Sequence, residues 1–271
     1  MDIGVTLKWV DLRPEVDPVS GSVVHHPGAF ALSAQDRNAL ELALRTAERW
    51  HGRVLAATVG PPGADAVLRT ALAAGAAAAT RVEGTDADAA AVAGELARVL
   101  GRCDVVWCGT WSADRGSAAV PARLAAVLGR AQALGVTMVE IGVAGRLTVE
   151  RRLDRGRRER LALQAPVVVS VEGGIAELRR APLPAVLAAD AAPIEVLSSA
   201  PGGPSPTRLL ARRPYRPRTR VVAGPSGDTR DRILALTGAL SERTPPRTVE
   251  VDPDEAAAML VAQLRAWGYL E

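Results

Sequence analysis

The segment Cys103–Leu128, CDVVWCGTWSADRGSAAVPARLAAVL, constrains the fold more than any other stretch of the chain. Val105–Cys108 is a short apolar run of the kind that forms a strand buried on both faces. It stops at Gly109 and gives way to a polar loop, Thr110-Trp111-Ser112-Ala113-Asp114-Arg115-Gly116-Ser117. A helical pattern follows, with Ala118, Leu124, Val127 and Leu128 as apolar positions. In an open parallel sheet, ligands bind where a strand's carboxyl end passes into a helix N-terminus. Unpaired N–H groups and the positive end of the helix dipole suit a phosphate there. Two readings stand on these residues: a nucleotide site, or an ordinary strand–loop–helix connection.

The surrounding chain repeats the same alternation. Ile3–Val10 reads as a strand, and Ser33–Trp50 as a helix with a polar start and apolar positions at Ala39, Leu40, Ala43 and Leu44. Val54–Val59 is a strand stopped by Gly60-Pro61-Pro62-Gly63, and Ala64–Ala74 is a helix terminated by Gly75. Ala79–Val82 is a strand and Asp86–Leu100 a helix. Strands separated by helices of this length imply βαβ units in a doubly wound, mostly parallel, Rossmann-like α/β sheet with right-handed crossovers. After Ala131 the pattern changes. Val136–Val143, Leu147–Leu153 and Glu159–Leu163 mix charged and apolar residues around short turns, and read as added antiparallel strands. Pro166–Val171 returns to the core as an apolar strand.

Beyond Ala191 the composition shifts to Pro, Gly, Ser and Arg, which cannot bury enough apolar surface to fold alone. At the far end, Asp252–Leu270 holds a capped amphipathic helix with Ala256, Leu260, Leu264 and Trp267 along one side. The expected organisation is a nucleotide-binding α/β domain over 1–195, then an extended arm and helix over 196–271 that pack on a partner subunit.

Composition removes several function classes. Hydrophobic content of 48% with 23% charge is that of a globular chain. No apolar run approaches the length of a transmembrane helix and no signal peptide opens the chain, so a cytoplasmic location is expected. Cys103 and Cys108 sit in or beside one strand and read as buried thiols. The three histidines, His25, His26 and His51, are too dispersed for a metal site, and His25-His26 precedes a Pro27-Gly28 turn. Arginine clusters at 151–160 and 208–220 are interleaved with acidic residues or lack stacking partners, with aromatics at only 3%. Nucleic acid is therefore not an expected partner. Lys8 is the sole lysine.

Several separated motifs together resemble the β subunit of electron transfer flavoproteins. They are the opening I-x-V-x-L-K-W-V (Ile3–Val10), the helix entry S-A-Q-D-R-N-A-L-E-L-A-L-R (Ser33–Arg45), V-G-P (Val59–Pro61) and L-R-T-A-L-A-A-G-A (Leu68–Ala76). G-T-W-S-A-D-R-G (Gly109–Gly116), V-E-R-R-L-D-R-G (Val149–Gly156), A-P-V-V-V-S-V (Ala165–Val171) and E-L-R-R-A-P-L-P-A-V-L (Glu177–Leu187) follow in the family's order. The match covers about residues 1–195. The resemblance implies an adenine-nucleotide hydrolase-like fold and an electron carrier, not an enzyme. It also implies pairing with an electron transfer flavoprotein α subunit that holds most of an FAD, with a structural AMP in this chain and a flavin- or nicotinamide-linked dehydrogenase as electron donor.

Carried over by motif, the AMP site would comprise Thr6, Ser33, Ala34, Gln35, Asp36, Val59 and the run Gly109, Thr110, Trp111, Ser112, Ala113, Asp114, Arg115, Gly116, Ser117, Ala118, Ala119 and Val120. Backbone amides from Gly116 to Val120 would hold the phosphate, with Ser117 as a hydroxyl donor. Asp36 would be a helix cap or a ribose partner, or a plain N-terminal helix acid.

The departures are informative. Thr110 and Trp111 stand where the family loop has lysine and glutamine, Gly116 replaces an acid, and Pro121 replaces a glycine. Arg152 stands where the family has a glutamate near the flavin. Leu183, between Pro182 and Pro184, takes the place of the family's partner-anchoring leucine, although its own residues also fit a local core plug. The lysine run after it is absent. Such departures resemble the divergent members found in mycofactocin-linked redox systems. Two other classes remain open: a nucleotide-binding module without redox function, and an ATP-using enzyme of the same superfamily. The enzyme reading lacks a pyrophosphate loop after the first strand, where Val10-Asp11-Leu12-Arg13-Pro14 stands instead.

Overall fold

Residues 1–17, 20–84, 88–200, 224–237 and 248–270 are described by the structure, a computed structural model of the chain. Contacts divide it into two units, Met1–Arg216 and Pro217–Glu271. The first unit opens with β1 (Asp2–Thr6), four two-residue strands β2 (Val10–Asp11), β3 (Glu15–Val16), β4 (Val23–Val24) and β5 (Phe30–Ala31), and helix α1 (Ala34–Trp50). Then come β6 (Arg53–Gly60), α2 (Asp65–Ala74), β7 (Ala78–Glu83), α3 (Ala89–Leu100), β8 (Val105–Gly109) and α4 (Ala119–Leu128). The unit continues with β9 (Ala131–Ile141), β10 (Arg146–Arg152), β11 (Arg158–Gln164), β12 (Val167–Val171), α5 (Leu183–Ala191) and β13 (Glu195–Leu197). The second unit contributes α6 (Thr229–Thr237) and α7 (Pro253–Ala266).

Among the described residues, nine strands form one sheet in the order β11-β10-β9-β12-β8-β1-β6-β7-β13. All neighbours from β9 to β13 are parallel, and only β9–β10 and β10–β11 are antiparallel. The fold is thus α/β, doubly wound and mostly parallel, with an antiparallel extension. Strand alternation explains the two faces. Ile3, Val5, Val105, Trp107, Val167 and Val169 point into one cluster with α1 and α2. Val106, Cys108, Ala57 and Val168 point into a second with α3 and α4. Helices on both faces require strands apolar on both sides, and that is why Val105–Cys108 has no polar residue.

The elements depart from expectation at five places. β1 ends at Thr6 instead of Val10, because the Lys8 N–H leaves the ladder for the Asp36 carboxylate at 3.2 Å. α3 begins at Ala89 under an Asp88 cap, and 85–87 lie outside the described residues. β9 begins at Ala131, since Ala131–Ala133 pair with Val167–Val169 before the chain bends at Gly135 (φ 67°). Past that bend the antiparallel strands lay Val139, Ile141, Leu147, Val149, Leu161 and Leu163 into the α1 cluster. The Trp50 indole N–H, at the end of α1, donates to the Gly142 carbonyl at 2.9 Å. Lastly, Glu195–Leu197 pairs with Thr80–Val82, so the sheet gains β13 where composition alone suggests an arm. The arm Ser198–Arg220 lies outside the described residues from 201 onward, and α6 had no counterpart in the sequence reading.

Candidate functional site

The sheet order places one topological switch point. From β1 the chain steps outward to β6 and β7, then crosses back to β8 on the other side of β1. The helix after β1 packs on one face and the helix after β8 on the other. A crevice opens between such strands at their carboxyl ends. The residues after Thr6, the start of α1 and the loop from Thr110 to Ala118 lie at this switch point.

Asp36 ties the three parts together. Its carboxylate accepts the backbone N–H groups of Lys8, at 3.2 Å, and Gly109. Gly109 allows this close approach: a Cβ there would lie 2.5 Å from the Asp36 oxygen. Burial pushes the Asp36 carboxyl up to about 7, against the pull of Lys8, Ser33 and Gly109. The cap of α1 is Ser33, whose hydroxyl accepts the Asp36 N–H at 3.1 Å. Of the roles open to Asp36, its carboxylate therefore serves as a bracket between strand ends, not as the cap.

Lys8 extends the bracket into the loop. Its ammonium donates to the Ser112 hydroxyl at 3.2 Å and pairs with Asp114 at 2.7 Å. Burial would raise the Asp114 carboxyl, but hydrogen bonds from Lys8 and Ser112 outweigh it and hold the group below its usual value. Thr110 N–H donates to the Val171 carbonyl at 3.0 Å, and Gly116 N–H to the Ser112 carbonyl at 2.8 Å. The loop is thus held at its start, middle and close. Sequence reasoning leaves Lys8 out of the site; the signal available was that it is the one lysine of the chain.

After this loop α4 starts without help. α1, α3 and α7 begin under Ser33, Asp88 and Asp252 caps, whereas α4, like α2 and α5, begins with no side-chain cap; its first flanking residue is Ala118 (φ 51°). The N–H groups of Ala119 and Val120 in its first turn have no side-chain partner, while Pro121 has no N–H to offer. The Thr110 hydroxyl is buried with no partner among the described residues. The backbone amides at this helix start are a donor set that fits a phosphorylated ligand.

Other expected residues fall as follows. Ala34 and Gln35 border the crevice: Gln35 lies beside Gly109, and both lie under Gly173. The Thr6 hydroxyl engages the buried Cys108 thiol, itself pushed up to about 12 by burial. Val59 is the next-to-last residue of β6, on the far side of β1 from the loop. Ser117 is exposed. Arg152 lies apart from the crevice, exposed at the end of β10 in register with Arg158. Leu183 opens α5 and is 69% exposed, which excludes the core plug within this unit. Three of the arginines of 151–160 pair with carboxylates across the antiparallel strands, Arg151 with Glu159, Arg158 with Glu150 and Arg160 with Glu140. Two surface depressions of about 590 and 430 Å³ flank the strap around Leu178 and Arg179, and neither is lined by loop 110–118.

Comparison with known proteins gives the family. The family model described as "Electron transfer flavoprotein domain" matches residues 21–201. The chain belongs to the electron transfer flavoprotein family. It is 33% identical over 177 residues to "Electron transfer flavoprotein subunit beta" of Thermoanaerobacterium thermosaccharolyticum, covering 63% of this chain and 67% of that relative. As an electron transfer flavoprotein of β-subunit type, it has the role of an electron carrier, not an enzyme. Among the described residues no helix is long and apolar enough to cross a membrane.

Proposed function

We propose that the chain is the β subunit of an electron transfer flavoprotein heterodimer, with AMP in the β1/β8 crevice. It helps enclose an FAD held mainly by the α subunit and relays electrons from a flavin- or nicotinamide-linked dehydrogenase. The observation that carries the nucleotide part is the uncapped start of α4 beside a loop braced by Lys8 and Asp36. In this reading the amides of Ser117 to Val120 take the phosphate, because the Gly116 N–H is already given to the Ser112 carbonyl. The nucleotide is structural: it neutralises the helix start and fixes the loop. The flavin, when bound, supplies the electron exchange. Arg152 is the residue proposed to lie toward it, where a guanidinium favours an anionic ring through charge attraction. α7 and the arm before it bind the α subunit, and Leu183 meets the dehydrogenase.

The test is to release ligands from the purified heterodimer and identify them by mass. AMP and FAD are both expected. Replacing Gly116 and Ser117 together with glutamate should remove AMP while the flavin absorbance persists, because two carboxylates enter the anion site. Nucleotide content equal to wild type in that variant would place the phosphate elsewhere.

A further inference from the structure

The strap before α5 separates two surface hollows of unlike chemistry, and Leu178 and Arg179 line both. The hollow on the α1 side, of about 590 Å³, is otherwise lined by Arg37, Arg45, Glu177 and Arg180. The one on the α2 side, of about 430 Å³, is lined mainly by alanines of α2, Ala181 and Val186. Positive charge in the first is only partly matched. Glu41 is answered by Arg45 at 2.8 Å and by Arg179 at 3.0 Å, and Glu48 by Arg179. Among the described residues Arg37 donates only to the Leu32 carbonyl, at 3.4 Å, and Arg180 has no carboxylate partner. Glu177 is the single carboxylate lining this hollow. On the antiparallel strands, by contrast, Arg151, Arg158 and Arg160 are each paired. Exposed guanidiniums with unused donors around one hollow suit carboxylates, which accept two of their N–H groups side by side.

We infer that the electron-donating protein lays an acidic segment across this strap, with carboxylates in the Arg37–Arg45–Arg180 hollow and an apolar side chain in the hollow beside Val186. This rests on the reading that Leu183 meets the donor, and adds what the donor must carry. Leu183 stands three residues from Arg180 on one side and three from Val186 on the other. Three residues of chain span no more than about 11 Å, so a partner seated on Leu183 reaches both hollows. Nucleic acid could answer the guanidiniums but offers no aliphatic side chain to the second hollow, whereas a protein offers both. Charge of one sign on this face speeds encounter with an acidic partner and disfavours a basic one.

The test follows reduction of the heterodimer, at rising ionic strength, by a dehydrogenase purified for its ability to reduce the wild type. Arg37→Gln combined with Arg180→Gln is the informative variant. Both side chains are exposed, and their loss strands no buried carboxylate, as loss of Arg179 would strand Glu41. Its second-order rate should fall about fivefold or more at 0.01 M salt, where charges act over about 30 Å. The deficit should close near 1 M, where they act over about 3 Å. Arg37→Lys with Arg180→Lys should keep most of the wild-type rate at low salt, because steering needs the charge and not the fork. A rate equal to wild type in the glutamine variant at 0.01 M, with Leu183→Ala still slow, would overturn the acidic segment and leave the Leu183 reading intact. A deficit of the same size at every salt concentration would overturn it too, since charge would not be its cause. Leu183→Ala reduced as fast as wild type would overturn the donor reading itself, and the acidic segment with it.

Discussion

Helices α1 and α7 are written in the same local grammar and end in opposite circumstances. Each starts under a polar cap, Ser33 or Asp252, and each carries an apolar side. Eleven of the 17 residues of α1 are buried, in a cluster shared with β1, β8 and β12. None of α7 is buried, with Leu260 65% and Trp267 66% exposed. Caps and periodicity decide that a helix forms; they do not decide what covers it. α1 has its cover within its own chain, because the strands before and after it leave a matching apolar face. The exposed side of α7 is the kind of surface that a second subunit covers.

The sharpest way to break this comparison is to delete one leucine from each helix. Leu40→Ala on α1 should cost about 2–5 kcal/mol of unfolding free energy, as for other buried leucines. Leu260→Ala on α7 should stay within about 0.5 kcal/mol in the isolated chain and instead weaken assembly with the α subunit. Chemical denaturation of both variants, beside wild type, gives the answer. Equal shifts would mean that α7 is covered by its own chain.

A pH titration sharpens the same contrast at the start of α1. The Asp36 carboxyl is raised by burial to about 7, above its value in the unfolded chain. Its contribution to stability is therefore fully present below about pH 4 and is lost as pH rises through about 7. Asp36→Asn keeps a neutral group at that place and removes the titration. The stability of wild type relative to Asp36→Asn should fall between about pH 4 and 7, by an amount on the order of a few kcal/mol, and level off above. A pH-independent difference would show that Lys8, Ser33 and Gly109 compensate the buried charge fully.

The sequence was legible wherever local pattern and burial agree. The strand at Val105–Cys108, the α1 start at Ser33, the Gly75 stop and the antiparallel segment all follow from alternation, capping and turn residues. What escaped depends on contacts distant in sequence. The early end of β1 is caused by Asp36, 28 residues away from Lys8. β13 exists because β7 offers a free edge, and three residues, Glu195–Leu197, are too few to show a period. Lys8 reaches Asp114 across 106 residues, so neither neighbourhood hints at the other. The crevice residues at Gly109–Val120 and Ala34–Asp36 came through the family resemblance; their residue types alone left a plain connection equally open.

The smallest expected effect on stability is at α5, where an exposed leucine lies on a well-held helix. The strap before α5 is bolted to α1 through Arg179, whose backbone and side chain bond the buried Glu41 at 3.0–3.1 Å and whose guanidinium also meets Glu48. Behind α5, Arg69 of α2 donates to the Ala189 and Ala192 carbonyls at its end. Between these clamps Leu183, Val186 and Leu187 remain 69%, 38% and 61% exposed. A helix fixed at both ends presents its side chains without a further ordering cost, which favours their use as contacts. Leu183→Ala removes almost no buried area within the chain, so its melting should shift by less than about 0.5 kcal/mol. If the leucine anchors the electron donor, reduction of the heterodimer by its dehydrogenase should slow severalfold, mainly through KM, while reduction by dithionite stays the same. A melting loss of about 2–5 kcal/mol with unchanged electron transfer would instead mark Leu183 as a buried structural contact in the heterodimer. Then α5 would resemble α1 more than α7: a helix whose exposed side is covered on assembly with the α subunit, and not one left open for a passing donor.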